Sequence, residues 1–177
     1  MTQVGPCLKL YHTNATVLLG SSAMRYTVSE QALSPQPVLV ARRRIKRTEI
    51  AKAVGELLGA VFLHAQRAGG TIIGPPFSRY LEWGPALLSI ESGLPIATPV
   101  AGEGDVLTGT LPGGRAAVTT HVGPYEQLFD AYAAVQLWIE EHARRAAGPP
   151  WEVYVTDPAD HPDPKDWRTE IFWPVET

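Results

Sequence analysis

The chain has 177 residues, enough for one domain or for two small halves sharing a core. Its net charge of -3 gives no general reason to expect nucleic-acid or membrane binding, and no apolar run reaches bilayer-spanning length. A single cysteine, Cys7, excludes an internal disulfide, and the N-terminal stretch is a poor signal peptide, so the expectation is a cytoplasmic protein.

Residues 1–34 show no convincing period; 8–11 or 16–19 is a candidate short strand, and the segment reads as an extension of unknown order ahead of a domain over 35–177. Residues 38–41 predict the first strand of that domain. Thr48 is placed to cap a helix, with Glu49 in its first turn and Ile50, Val54, Leu57, Leu58, Val61 and Ala65 on one stripe. Gly69 and Gly70 end it. Strands near 72–73, 77–81 and 87–91 follow, then a Gly- and Pro-rich linker to about Asp105 and an additional strand over 106–111.

From Arg115 the same order returns: a strand over 115–122, Pro124 in the first turn of a helix, and Leu128, Val135, Trp138 and Ile139 as its buried stripe. Glu126 and the Arg144-Arg145 pair suit the two ends of that helix dipole, and Gly148-Pro149-Pro150 is expected to stop it. Strands over 151–155 and 169–173 close the chain. The signature Gly-Pro-Pro-aromatic-x-x-Tyr occurs at Gly74 to Tyr80 and again at Gly148 to Tyr154, 74 positions apart. Each half, about 35–97 and 106–177, is thus β-α-β-β. The expectation is an α+β fold built by pseudo-twofold duplication of that unit. Its antiparallel sheets carry two long helices on one face, leave the other face available, and form a ligand cleft between the halves.

Strand alternation groups Trp151, Val153 and Val155 as an apolar set facing the helices, with Glu152 and Tyr154 on the open face; Glu170 and Phe172 alternate likewise on the last strand. Carboxylates beside aromatic rings suit a cationic or polar aromatic ligand. The repeat places Ser78 where the second half has Glu152, which breaks the symmetry at the acidic position. Each candidate has a plainer reading: an exposed strand face for Glu152 and Tyr154, a structural hydrogen bond for Glu170, and core packing for Trp138 and Trp151. Trp83 and Trp173 fit either role, and His121 reads first as a hydrogen-bonded structural histidine. The five histidines lack close ligand spacing, so no metal is expected, and phosphate-loop, dinucleotide and Gly-x-Ser-x-Gly motifs are absent. The basic run from Arg42 to Arg47 reads as a solvated loop before a helix rather than a nucleic-acid contact.

From Pro37 onward the chain resembles the GyrI-like small-molecule-binding domain, the effector-binding domain of AraC-type regulators. The resemblance rests on His121-x-Gly123-Pro124-Tyr125, Trp138-Ile139, Trp151-Glu152-x-Tyr154, Asp157-Pro158 and Thr169-Glu170-Ile171-x-x-Pro174. It implies a ligand cleft in which Tyr80, Trp83, Tyr125, Glu152, Tyr154, Glu170, Phe172 and Trp173 are the candidate binding residues. The implied function is a stand-alone binder of small aromatic or cationic molecules, in sensing or sequestration, with no direct nucleic-acid contact and no cofactor. Two alternatives follow from other relatives. One is a cofactor-free hydrolase of cyclopropane-bearing alkylators, with Tyr154 as electrophile and Glu152 or Glu170 as base. The other is a protein-binding inhibitor such as of DNA gyrase.

Overall fold

The computed structural model describes residues 26–176; the candidate strands at 8–11 and 16–19, and Cys7, lie outside the described residues. The elements run β1 (Ser29–Leu33), β2 (Gln36–Ile45), α1 (Ile50–Arg67), β3 (Phe77–Trp83), β4 (Leu88–Pro95) and β5 (Val106–Leu111). They continue with β6 (Gly114–Val122), α2 (Leu128–Glu141), β7 (Trp151–Tyr154) and β8 (Arg168–Val175). All eight strands join one antiparallel sheet in the order β1-β6-β8-β7-β3-β4-β2-β5, because β3 pairs with β7 at its centre. The expected strand at 72–73 is reduced to a single bridge between Ile72 and Ile96. β1 falls in the segment that showed no period. It is an edge strand, paired on one side only with β6, so nothing forces alternation on Ser29–Leu33.

The sheet is curled, and the connections show why. Leu33 of β1, at one edge, reaches Gln36 of β2, beside the other edge, across only Ser34 and Pro35. A flat sheet would separate those strands by about 30 Å, whereas three peptide steps span roughly 10 Å. β5 returns to β6 across Pro112 and Gly113 at the same end. There a side chain on Gly113 would place its Cβ 2.6 Å from Pro35 Cδ, so the seam has room for glycine only.

Curling gives the sheet two apolar faces. On the outer face α1 packs on β2 and β4, with Leu57, Val61 and Ala65 against Leu39, Ile90 and Ile96. α2 packs on β6 and β8, with Leu128, Val135 and Ile139 against Ala117, Ile171 and Trp173. The inner face buries Val38, Val40, Phe77, Leu111 and Trp151, with Phe172 stacked 5.5 Å from Trp151. Gly93 lets β4 enter this packing; a Cβ there would meet Leu39 O at 2.3 Å and Phe77 Cε1 at 3.1 Å. Next to it Glu91, fully buried, accepts from Arg42 Nε at 2.6 Å and Arg79 Nε at 2.9 Å.

This arrangement corrects one expectation. Trp151 and Val153 turn away from the helices into the curl, and Glu152 and Tyr154 turn toward them; Val155 lies beyond β7 and is exposed. The face opposite the helices is a second core rather than an open surface. Helix ends also differ. A 3-10 turn (Arg47–Glu49) precedes α1 and contains Thr48, and the Glu49 carboxylate accepts from Lys46 N–H at 2.9 Å. α2 stops at Glu141, well before Gly148, where Ala143 adopts φ 51° and Arg144 N–H bonds back to Ile139 O at 2.9 Å. The run from Arg42 to Arg47 is not a loop: it forms the end of β2 and the turn into α1.

Candidate functional site

Between α1 and α2, over the centre of the sheet, lies a cavity of about 1050 Å3. Its walls are largely apolar and aromatic, from Ile50, Val54 and Leu58 on one side to Leu128, Phe129 and Trp173 on the other. The Gly-Pro-Pro repeats enter it through Pro75, Pro76 and Pro150. Each precedes a central strand, and Pro76 O accepts from Tyr154 N–H at 2.9 Å, which ties the two repeats together.

Glu152 is buried against this cavity. β7 presents it to the helix side, where Tyr132 Oη of α2 donates to Oε1 at 2.9 Å and Tyr154 Oη donates to Oε2 at 2.9 Å. Burial pushes the Glu152 carboxyl up to about 7, against the opposing pull of those two hydroxyl donors. Tyr132 and Tyr154 are held well above the ordinary tyrosine range, by burial first and by the nearby Glu152 carboxylate second. Both hydroxyls therefore remain donors at neutral pH. Tyr125 is raised too, through burial and then Glu152 and Asp157.

The aromatic walls are braced by one another. Tyr80 meets Trp83 edge-on at 5.3 Å, Tyr125 meets Tyr154 edge-on at 5.6 Å, and Trp167 backs Tyr125 at 4.6 Å. Trp173 packs edge-on to Tyr132 at 6.2 Å.

Of the residues singled out in the sequence, Tyr80, Trp83, Tyr125, Glu152, Tyr154 and Trp173 line the cavity. Glu170 and Phe172 do not. They pair across the sheet with Val153 and Trp151, on the inner face of the curl. His121 is fully buried and structural, between Tyr26 Oη at 2.8 Å and Pro124 O at 3.1 Å. Trp138 is half-buried and stacks on His142 at 4.1 Å. Tyr132 is a cavity residue that the sequence pattern does not single out. Its signal was a tyrosine on the buried stripe of α2, where a hydroxyl requires a partner.

A family model of the GyrI-like small molecule binding domain matches residues 26–176, and the chain belongs to that family. Among solved structures it is similar to the C-terminal domain of EcmrR, with 22% identity over 87% of this chain and 99% of that one, and a TM-score of 0.77. Against the EcmrR chain in a cryo-EM complex with DNA the TM-score is also 0.77 with 22% identity, over 88% of this chain; the chain spans 59% of that longer protein. A hydrolase from Listeria innocua matches at 15% identity and a TM-score of 0.60, over 84% of this chain and 91% of that one. SAV2435 bound to tetraphenylphosphonium matches at 13% identity and a TM-score of 0.53, over 86% of this chain and 94% of that one. These likenesses carry the fold. A search of curated proteins gave no match. Among the described residues no helix is long and apolar enough to cross a membrane.

Proposed function

We propose that the cavity between α1 and α2 binds small aromatic ligands that carry a cationic or hydrogen-bonding group, in a sensing or sequestering role. The observation that carries this reading is the Glu152 carboxyl, buried among tyrosines with both oxygens already hydrogen-bonded. A carboxyl raised by burial to about 7 is partly protonated at neutral pH, and a cation that binds beside it drives it to the carboxylate. The rings of Tyr80, Tyr125 and Trp173 offer apolar area and ring faces to the rest of the molecule. Membership of a small-molecule-binding family supports the same reading.

The cavity sits where two copies of one unit meet. The strand order β6-β8-β7 on one side of the centre repeats as β2-β4-β3 on the other, and the register supports duplication. Ser78 and Glu152, equivalent in the Gly-Pro-Pro repeats, face each other across the β3–β7 pair. About that point the register is symmetric, Phe77 pairing with Val153 and its repeat equivalent Trp151 pairing with Arg79. A local twofold axis through Ser78 and Glu152 makes the acidic position the pivot of the site. There the first copy supplies only a hydroxyl, hydrogen-bonded to Ser92 at 2.8 Å.

The test is calorimetric titration with tetraphenylphosphonium. Glu152→Gln is expected to weaken binding at pH 8 by about tenfold or more, the scale of a buried charge–charge contact. Glu170→Gln, on the other side of the sheet, is expected to leave it unchanged. Equal affinity of wild type and folded Glu152→Gln sinks the assignment.

A second reading draws on the same carboxyl. A base whose pKa is near 7 suits proton abstraction from water, and Tyr132 or Tyr154 can donate to oxygen on a substrate. On a cyclopropane conjugated to a carbonyl, water would add to a ring carbon while the C–C bond breaks toward the carbonyl; Glu152 would take the water proton and the resulting enolate would take a proton in turn, giving net addition of one water. Mass spectrometry of such a compound after incubation separates the readings. A product heavier by one water, absent with Glu152→Gln, makes the protein a hydrolase; unchanged compound with saturable binding leaves it a binder.

A further inference from the structure

Most of the basic run from Arg42 to Arg47 has carboxylate partners or solvent. Arg42 is paired with Glu91 and Arg43 with Glu56, while Arg44 and Lys46 are exposed. Arg47 differs. Among the described residues no carboxylate lies within ion-pair distance of it; its guanidinium instead lies 4.9 Å over the ring of Trp83 and reaches Gly84 O at 3.5 Å. Both contacts come from one tight turn. Gly84 N–H bonds to Leu87 O at 2.9 Å, and a side chain at Gly84 would bring its Cβ within 2.5 Å of that oxygen. The turn that fixes Trp83 at the end of β3 thus also offers the carbonyl that Arg47 reaches.

Among the described residues Arg47 is also the only Lys or Arg lining the cavity between the helices. It stands on the α1 side, while Glu126 and Asp157 stand with the elements of the second half. A guanidinium over an indole face takes the place that a cationic group of a ligand would prefer, and adds a like charge beside it. The ring behind it, Tyr80, connects Trp83 to the cluster around Glu152.

We propose that Arg47 sets the charge selectivity of this cavity. It occupies the ring face of Trp83 so that the site takes aromatic ligands that are neutral or anionic at the end lying against Trp83, and disfavours those that are cationic there. A cationic group is then admitted only at the Glu152 end. The preferred ligand class is an aromatic molecule that is polar or acidic at one end and basic or hydrogen-bonding at the other. The inference rests on the reading of the cavity as a ligand site.

Three probes of similar bulk test it: tetraphenylphosphonium, the isosteric anion tetraphenylborate, and neutral triphenylphosphine oxide. Dissociation constants are measured for wild type, Arg47→Gln and Arg47→Lys, with folding checked by circular dichroism. Removing the charge in Arg47→Gln is expected to tighten the cation about three- to tenfold and weaken the anion by a similar factor, the scale of an exposed charge or cation–π contact. The neutral probe should move less than twofold, and Arg47→Lys should keep the wild-type order of the two ions. A packing role would shift all three probes in one direction, and that result, or no shift at all, overturns the proposal. If Glu152→Gln leaves cation binding intact while Arg47→Gln reorders the ions, the Glu152 reading fails and this one stands. If no probe binds folded wild type, the cavity reading falls and this proposal falls with it.

Discussion

Glu152 combines burial, which favours its neutral form, with two tyrosine donors, which favour the carboxylate; burial wins, and the carboxyl sits near 7. An unfolded glutamate titrates near 4.3, so the folded state holds this proton more tightly than the unfolded chain. The associated stability is fully present below about pH 4.3 and is lost as pH rises through about 7. The size is roughly 4 kcal/mol by linkage. Glu152→Gln removes the titration. Thermal unfolding of the two proteins is therefore expected to diverge with pH, the variant gaining on wild type between pH 5 and pH 8. A difference in Tm that does not change over that range contradicts the burial of this carboxyl.

Single elements are set by where their side chains turn. β4 is the clearest case, since Gly93 lies against Leu39, Val40 and Phe77 with no space for a methyl group. Gly93→Ala should cost about 1–3 kcal/mol by overpacking, read as a lower urea midpoint with unchanged slope. Glu91→Ala empties a fully buried position and leaves the half-buried Arg79 without its carboxylate, and should cost about 3 kcal/mol. Most elements were legible in the sequence. The α1 stripe and the Gly69 stop, which takes φ 69°, are written in periodicity and in glycine. Alternation correctly grouped Trp151 with Val153, and Glu152 with Tyr154. It did not tell which group met the helices, because a curled sheet has an apolar core on each side and Trp151 satisfies either. The same ambiguity left Glu170 in the candidate site and hid Tyr132, whose place on a buried stripe reads as packing until its hydroxyl partner on another element is known.

For the whole molecule, the two short connections at Ser34-Pro35 and Pro112-Gly113 hold the sheet edges together, so the halves around α1 and α2 share the inner core of Phe77, Leu111 and Trp151. Neither half can expose its share without exposing the other's. Urea unfolding is expected to be a single transition, with tryptophan fluorescence and circular dichroism superimposed. Two separated transitions would show that the halves are independent units. The closure was legible only in part. The Gly-Pro-Pro repeat pointed to two related units, but the seam depends on β1, whose residues carry no pattern, and on two connections that look like ordinary turns until the strand order is known.

The central claim is that Glu152 answers a bound cation by giving up a proton. The direct measurement is calorimetric titration of wild type and Glu152→Gln with tetraphenylphosphonium in buffers of differing ionisation enthalpy, from pH 6 to pH 8. For wild type the account predicts release of roughly 0.9 proton per cation at pH 6, falling to roughly 0.1 at pH 8, and none from Glu152→Gln at either pH. Binding without proton release at pH 6, or equal release from both proteins, would contradict it.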